Sequence, residues 1–103
     1  MFIQTETTAN PEQMKFLPGQ PVMPRGTAHF ANVITAKHSP LAQRLFGIDG
    51  VANITLDEDS ITITKENNWD WQALKTLTLA AIMNHYTAGD KVIMEKDGPD
   101  LSE

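Results

Sequence analysis

Apolar and polar residues alternate most regularly between Ala52 and Lys65. Ala52, Ile54 and Leu56 stand against Asn53 and Thr55, the polar run Asp57-Glu58-Asp59-Ser60 intervenes, and Ile61 and Ile63 then stand against Thr62 and Thr64. A period of two with one apolar face specifies a β-hairpin laid on a core. The start of the chain is a weaker version of the same pattern. Phe2 to Thr7 is partly β-branched and alternating, Asn10-Pro11 supplies a turn, and Met14-Lys15-Phe16-Leu17 resumes an extended run. Pro18 to Pro24 holds three prolines and a glycine and reads as an irregular surface connection, with Thr27 to Phe30 as a brief strand after it.

Two stretches carry helical spacing. Ser39-Pro40 is a start signal, since the hydroxyl can accept from a free backbone N–H and proline suits the first helical position. Leu41, Ala42, Leu45 and Phe46 follow three and four residues apart, and Gly47 and Gly50 end the run. The second helix is capped by Asn67 or Asn68, begins near Trp69 or Asp70, and runs to about Thr87, with Gly89 as its stop. Trp71, Leu74, Thr78, Ala81, Ile82 and His85 form one stripe of it. Leu77 widens that stripe on one side and Leu79, Met83 and Tyr86 on the other, leaving Gln72, Thr76 and Asn84 polar, so one sheet face need not cover it all. Val92-Ile93-Met94 reads as an edge strand or a core contact. Residues 1–94 therefore read as one α+β domain, and the polar stretch 95–103 as a tail or the start of a linker.

With 103 residues, 41% of them apolar, the chain supports one hydrophobic core and no second. Eight Lys and Arg scattered singly in a chain of net charge −5 form no stripe to meet a run of phosphates, which argues against nucleic acid. No apolar run approaches the length that crosses a bilayer, which argues against a membrane partner. The absence of cysteine removes thiolate nucleophiles, redox pairs and the usual ligands of iron–sulfur clusters. The opening Met1-Phe2-Ile3-Gln4-Thr5-Glu6 has neither a signal-peptide nor a transit-peptide pattern, so the expected location is cytoplasmic.

Candidate chemistry is thin. His29, His38 and His85 offer no pair at the spacing that sets two imidazoles on one helix face; His85 continues the apolar stripe as a core-edge residue, and the other two read as exposed. Asp57-Glu58-Asp59 lacks the glycine and distal glutamate of a calcium hand and reads as a solvated turn. Neither catalytic nor metal-binding residues are assigned. Trp69 and Trp71 lie two apart and point in different directions, which gives Trp71 to the core and Trp69 to a surface where it could anchor a partner. The remaining contact candidates are Leu79 and Met83 on the edge of the last helix, and Asn10 and Lys15 in the first hairpin. Asn10 and the threonines before it can also be consumed by their own loop.

Taken in order, Phe2-Ile3-Gln4-Thr5-Glu6-Thr7-Thr8, Asn10-Pro11, Lys15-Phe16-Leu17-Pro18-Gly19, Ser39-Pro40-Leu41-Ala42, Leu45-Phe46-Gly47-Ile48-Asp49-Gly50-Val51 and Ile61-Thr62-Ile63-Thr64-Lys65 resemble the N-terminal domain of the Nfu and NifU-like iron–sulfur cluster scaffold proteins. The resemblance implies a two-layer sandwich of order ββαββα, an antiparallel sheet built from two hairpins with two helices on one face. It also implies a non-catalytic recognition module joined to a separate Cys-x-x-Cys domain that binds the cluster, so this chain itself binds no cofactor. Implied partners are cluster-assembly proteins, apo-protein acceptors and the chain's own cluster-binding domain. The competing expectation is a free-standing adaptor or self-associating domain outside cluster biology. A small metal-dependent enzyme using the histidines and the acidic turn ranks well behind both.

Overall fold

The structure, a computed structural model, describes residues 2–89. The first hairpin pairs β1 (Gln4–Thr7) with β2 (Gln13–Leu17), and the second pairs β4 (Val51–Leu56) with β5 (Ile61–Lys65). β2 and β5 also pair, which joins the hairpins, and the short β3 (Ala28–Phe30) adds to β4. The result is a five-stranded antiparallel sheet of order β1-β2-β5-β4-β3, one strand wider than two hairpins alone. The brief strand over Thr27 to Phe30 is thus real, and it forms one edge of the sheet.

The alternation places the core. Phe16, Ile54, Leu56, Ile61 and Ile63 are fully buried on one sheet face, joined there by Leu41 and Leu45 of α1 (Pro40–Phe46) and Ile82 of α2 (Trp71–Ala88). The opposite face carries Glu6, Lys15, Thr62, Thr55 and His29 in one cross-strand row. These side chains are polar, and among the described residues no helix covers them. One detail departs from strict alternation. A register shift between Val51 and Asn53 adds a residue at Ala52, so Val51 takes the buried place and Ala52 is only half-buried.

Both helices are capped by side chains. Ser39 Oγ accepts from the Ala42 N–H at 3.1 Å, with Pro40 at the first helical position. For α2 the cap is Asp70, whose carboxylate accepts from the Gln72 N–H, rather than Asn67 or Asn68. The reason is local: Trp69 N–H bonds the Glu66 carbonyl at 3.0 Å, so residues 66–69 form a turn of their own before the helix starts. Gly89, in the left-handed conformation at φ 76°, ends α2. The expected edge strand at Val92-Ile93-Met94 and the domain boundary at residue 94 lie outside the described residues.

Candidate protein-contact surface

Trp69 is not on the helix edge. It precedes α2 and is half-buried, with its indole lying flat on the backbone of Gly50, where a Cβ would come within 2.6 Å of the ring. Gly50 holds φ at 96° and receives the Glu66 N–H on its carbonyl at 2.8 Å, so the tryptophan locks the two ends of the second hairpin. Trp71 also has an internal task. Its ring lies 6.2 Å from that of Phe16, and its Nε1–H donates to the Pro11 carbonyl at 3.2 Å, tying α2 to the β1–β2 turn.

The helix edge that remains is formed by Leu79, Met83 and Tyr86, which fall on one flank at 3.6 residues per turn. Leu79 and Tyr86 rest against the core, while Met83 is 42% exposed. Tyr86 Oη donates to the Pro21 carbonyl at 3.1 Å, and burial raises its pKa above the ordinary 10.0. Leu77, half exposed, lies on the opposite flank of α2. His85 is fully buried and not at the core's edge.

The hairpin candidates separate. Asn10 Oδ1 accepts from the Glu12 N–H at 2.9 Å, while Thr8 Oγ1 both donates to the Asn10 carbonyl and accepts from its N–H at 3.1 Å. The turn therefore consumes its own polar groups. Lys15 lies on β2, on the polar sheet face, opposite Glu6 on β1 and Thr62 on β5.

The acidic turn is more than solvated. Asp57 accepts from the hydroxyls of Thr27 at 2.7 Å and Ser60 at 3.4 Å, and Glu58 from the Gly26 N–H at 3.0 Å. The backbone carbonyls of Glu58 and Asp57 accept from the Val22 and Met23 N–H groups at 2.8 and 3.1 Å. The proline-rich connection is held down at these points, and Val22 and Met23 are buried rather than on the surface. Beside it runs an open groove of about 670 Å³ whose walls include Phe2, Leu17, Pro21 and Met23 and whose far end is Glu58 and Asp59. Sequence reading missed this groove; its one sequence signal is Phe2, which is 77% exposed. Among the described residues no group of three or more His, Cys, Asp or Glu could hold a metal ion, and no helix is long and apolar enough to cross a membrane.

Residues 3–89 match the family described as "Scaffold protein Nfu/NifU N terminal". The chain belongs to that family. It is 42% identical over 95 residues to the Arabidopsis thaliana "NifU-like protein 4, mitochondrial", covering 92% of this chain and 34% of that protein. It is 43% identical over 97 residues to the human "NFU1 iron-sulfur cluster scaffold homolog, mitochondrial", covering 93% of this chain and 38% of that protein. The chain thus spans little more than a third of either relative. Among solved structures, the solution structure of a NifU-like protein from Saccharomyces cerevisiae superposes with a TM-score of 0.80 at 25% identity, covering 92% of this chain and 86% of that one. A crystal structure of a Staphylococcus aureus protein shares the fold at a TM-score of 0.69 and 20% identity, covering 80% of this chain and 99% of that one.

The expected cytoplasmic location does not stand, because both of these relatives, and a second Arabidopsis one, are mitochondrial by name. The family match begins at residue 3, so the first residues already belong to the domain and say nothing about a compartment.

Proposed function

We propose that this chain is a non-catalytic recognition domain of an iron–sulfur cluster scaffold or carrier, acting by protein contact while cysteines elsewhere in a longer protein hold the cluster. The observation that carries this reading is the pairing of membership in a scaffold family with a complete lack of cysteine. Iron–sulfur clusters need soft thiolate ligands, and isolated imidazoles or carboxylates do not replace four of them. The match takes up only 34% and 38% of the two relatives, which leaves room in them for a cluster-binding Cys-x-x-Cys domain. The partners are cluster-assembly proteins, apo-protein acceptors or that cluster domain itself. The contact is carried by the α2 flank at Leu79 and Met83, since Trp69 is committed to Gly50 and Asn10 to its own turn.

Anaerobic reconstitution with iron and sulfide tests the division of labour. After desalting, the chain is expected to stay colourless. Stable visible-region absorbance with about one iron or more per chain would overturn the proposal.

A further inference from the structure

The groove beside the proline-rich connection has two unlike ends. Phe2 and Gln4 stand at one, on the side of the sheet edge formed by β1. Leu17, the cross-strand partner of Gln4, floors the middle, and Pro21 and Met23 form the wall. Glu58 and Asp59 close the other end, and among the described residues no lysine, arginine or histidine lines it. The Asp59 carboxylate accepts no hydrogen bond and joins no ion pair among the described residues, while one oxygen of Glu58 is taken by Gly26. A chain of net charge −5 adds to the negative field there.

We propose that this groove is a second contact site, which receives an extended segment of a partner protein carrying an aliphatic or aromatic side chain and, about three residues away, a lysine or arginine. The spacing follows from the sheet. From β1 across β2 to the start of β5 is two inter-strand steps, roughly 10 Å, which an extended chain covers in about three residues. The apolar side chain sits against Phe2 on the β1 side of Leu17, where prolines fix one wall and the methionine adapts to its shape. The cation reaches Asp59. An acidic or uniformly apolar segment leaves that carboxylate repelled or unpaired, and charge complementarity of this kind selects partners more than it adds affinity.

The test uses the full chain and a fluorescent, capped decapeptide of otherwise Gly, Ser and Thr residues carrying Leu and, three positions later, Arg. Two twin peptides replace the arginine by glutamate or the leucine by serine. Binding by fluorescence polarisation is expected to weaken about tenfold for each twin and to fall as salt rises from about 50 to 500 mM. Asp59→Asn, a change at an exposed side chain, is expected to erase the preference for arginine over glutamate while leaving the unfolding midpoint in place. Amide shifts are expected at Phe2, Leu17, Gln20 and Asp59 and not at Met83, which keeps this result separate from the α2 contact. Equal binding of the arginine and glutamate peptides, or an Asp59→Asn variant that still discriminates, overturns the proposal. So does occupation from within: concentration-dependent dimerisation shifting the groove residues would give the site to a second copy, and groove shifts released by replacing Val92, Ile93 and Met94 with serine would give it to the chain's own tail.

Discussion

Replacing Gly50 by alanine tests the reassignment of Trp69 from contact residue to structural one. The backbone there is at φ 96°, and the new Cβ would lie 2.6 and 2.7 Å from Cδ2 and Cγ of the Trp69 ring. A left-handed conformation costs an L-residue about 1–2 kcal/mol, and forcing extra volume into a filled contact costs about 1–3 kcal/mol more, so the expected loss is about 2–5 kcal/mol. Gly89 is the internal control, because it has φ 76° but nothing within 4 Å of an added Cβ. Gly89→Ala then loses only the backbone part, about 1–2 kcal/mol. Urea unfolding of both variants, read at unchanged m-value, measures the difference. Adding Trp69→Leu to Gly50→Ala should recover part of the loss, as expected when two residues share one contact. If Gly50→Ala loses no more than Gly89→Ala, the indole does not rest on Gly50 and Trp69 returns as a surface candidate.

Ile82→Ala, at a fully buried position between α2 and the sheet, is expected to lose about 2–5 kcal/mol by denaturant unfolding, whereas Met83→Ala one residue away loses under about 1 kcal/mol. Thr78→Val is expected to be neutral or to stabilise by about 1 kcal/mol, since the Thr78 hydroxyl is buried without a hydrogen-bond partner among the described residues. For Tyr86 the sign follows from its raised pKa: the folded state keeps the phenolic proton at a pH where the unfolded chain gives it up. That contribution is present below pH 10.0 and is lost as pH rises through the higher folded value. Tyr86→Phe should flatten the alkaline part of a stability-against-pH curve; an unchanged slope would count against the burial of this hydroxyl.

The hairpins, α1 with its serine cap and the core stripe of α2 were legible in the sequence because each depends on neighbours within a few positions. Ile54, Leu56, Ile61 and Ile63 alternate, and all four are buried as that alternation requires. What was illegible depends on contacts between distant segments. Trp69 is explained by Gly50, to which nothing in its own neighbourhood points. Val22 and Met23 sit among prolines that deny the segment a regular element, yet their N–H groups find the carbonyls of Glu58 and Asp57, and the side chains are drawn inward. The start of α2 was misplaced because Asn67, Asn68 and Asp70 are all competent caps, and the turn closed by Trp69 on Glu66 leaves the role to Asp70. Helical spacing alone put Leu79 and Met83 on one flank of α2, whereas the groove was not legible because its walls come from three separate stretches of chain.

The claim that this domain works by protein contact is tested most directly by titrating the isotope-labelled chain with the part of the human relative that it does not match, after anaerobic reconstitution of that part with iron and sulfide. Saturable amide shifts centred on Leu79 and Met83, with the iron remaining on the added protein, are the predicted result. A spectrum unchanged through a stoichiometric excess, or cluster absorbance that moves onto this cysteine-free chain, would contradict it.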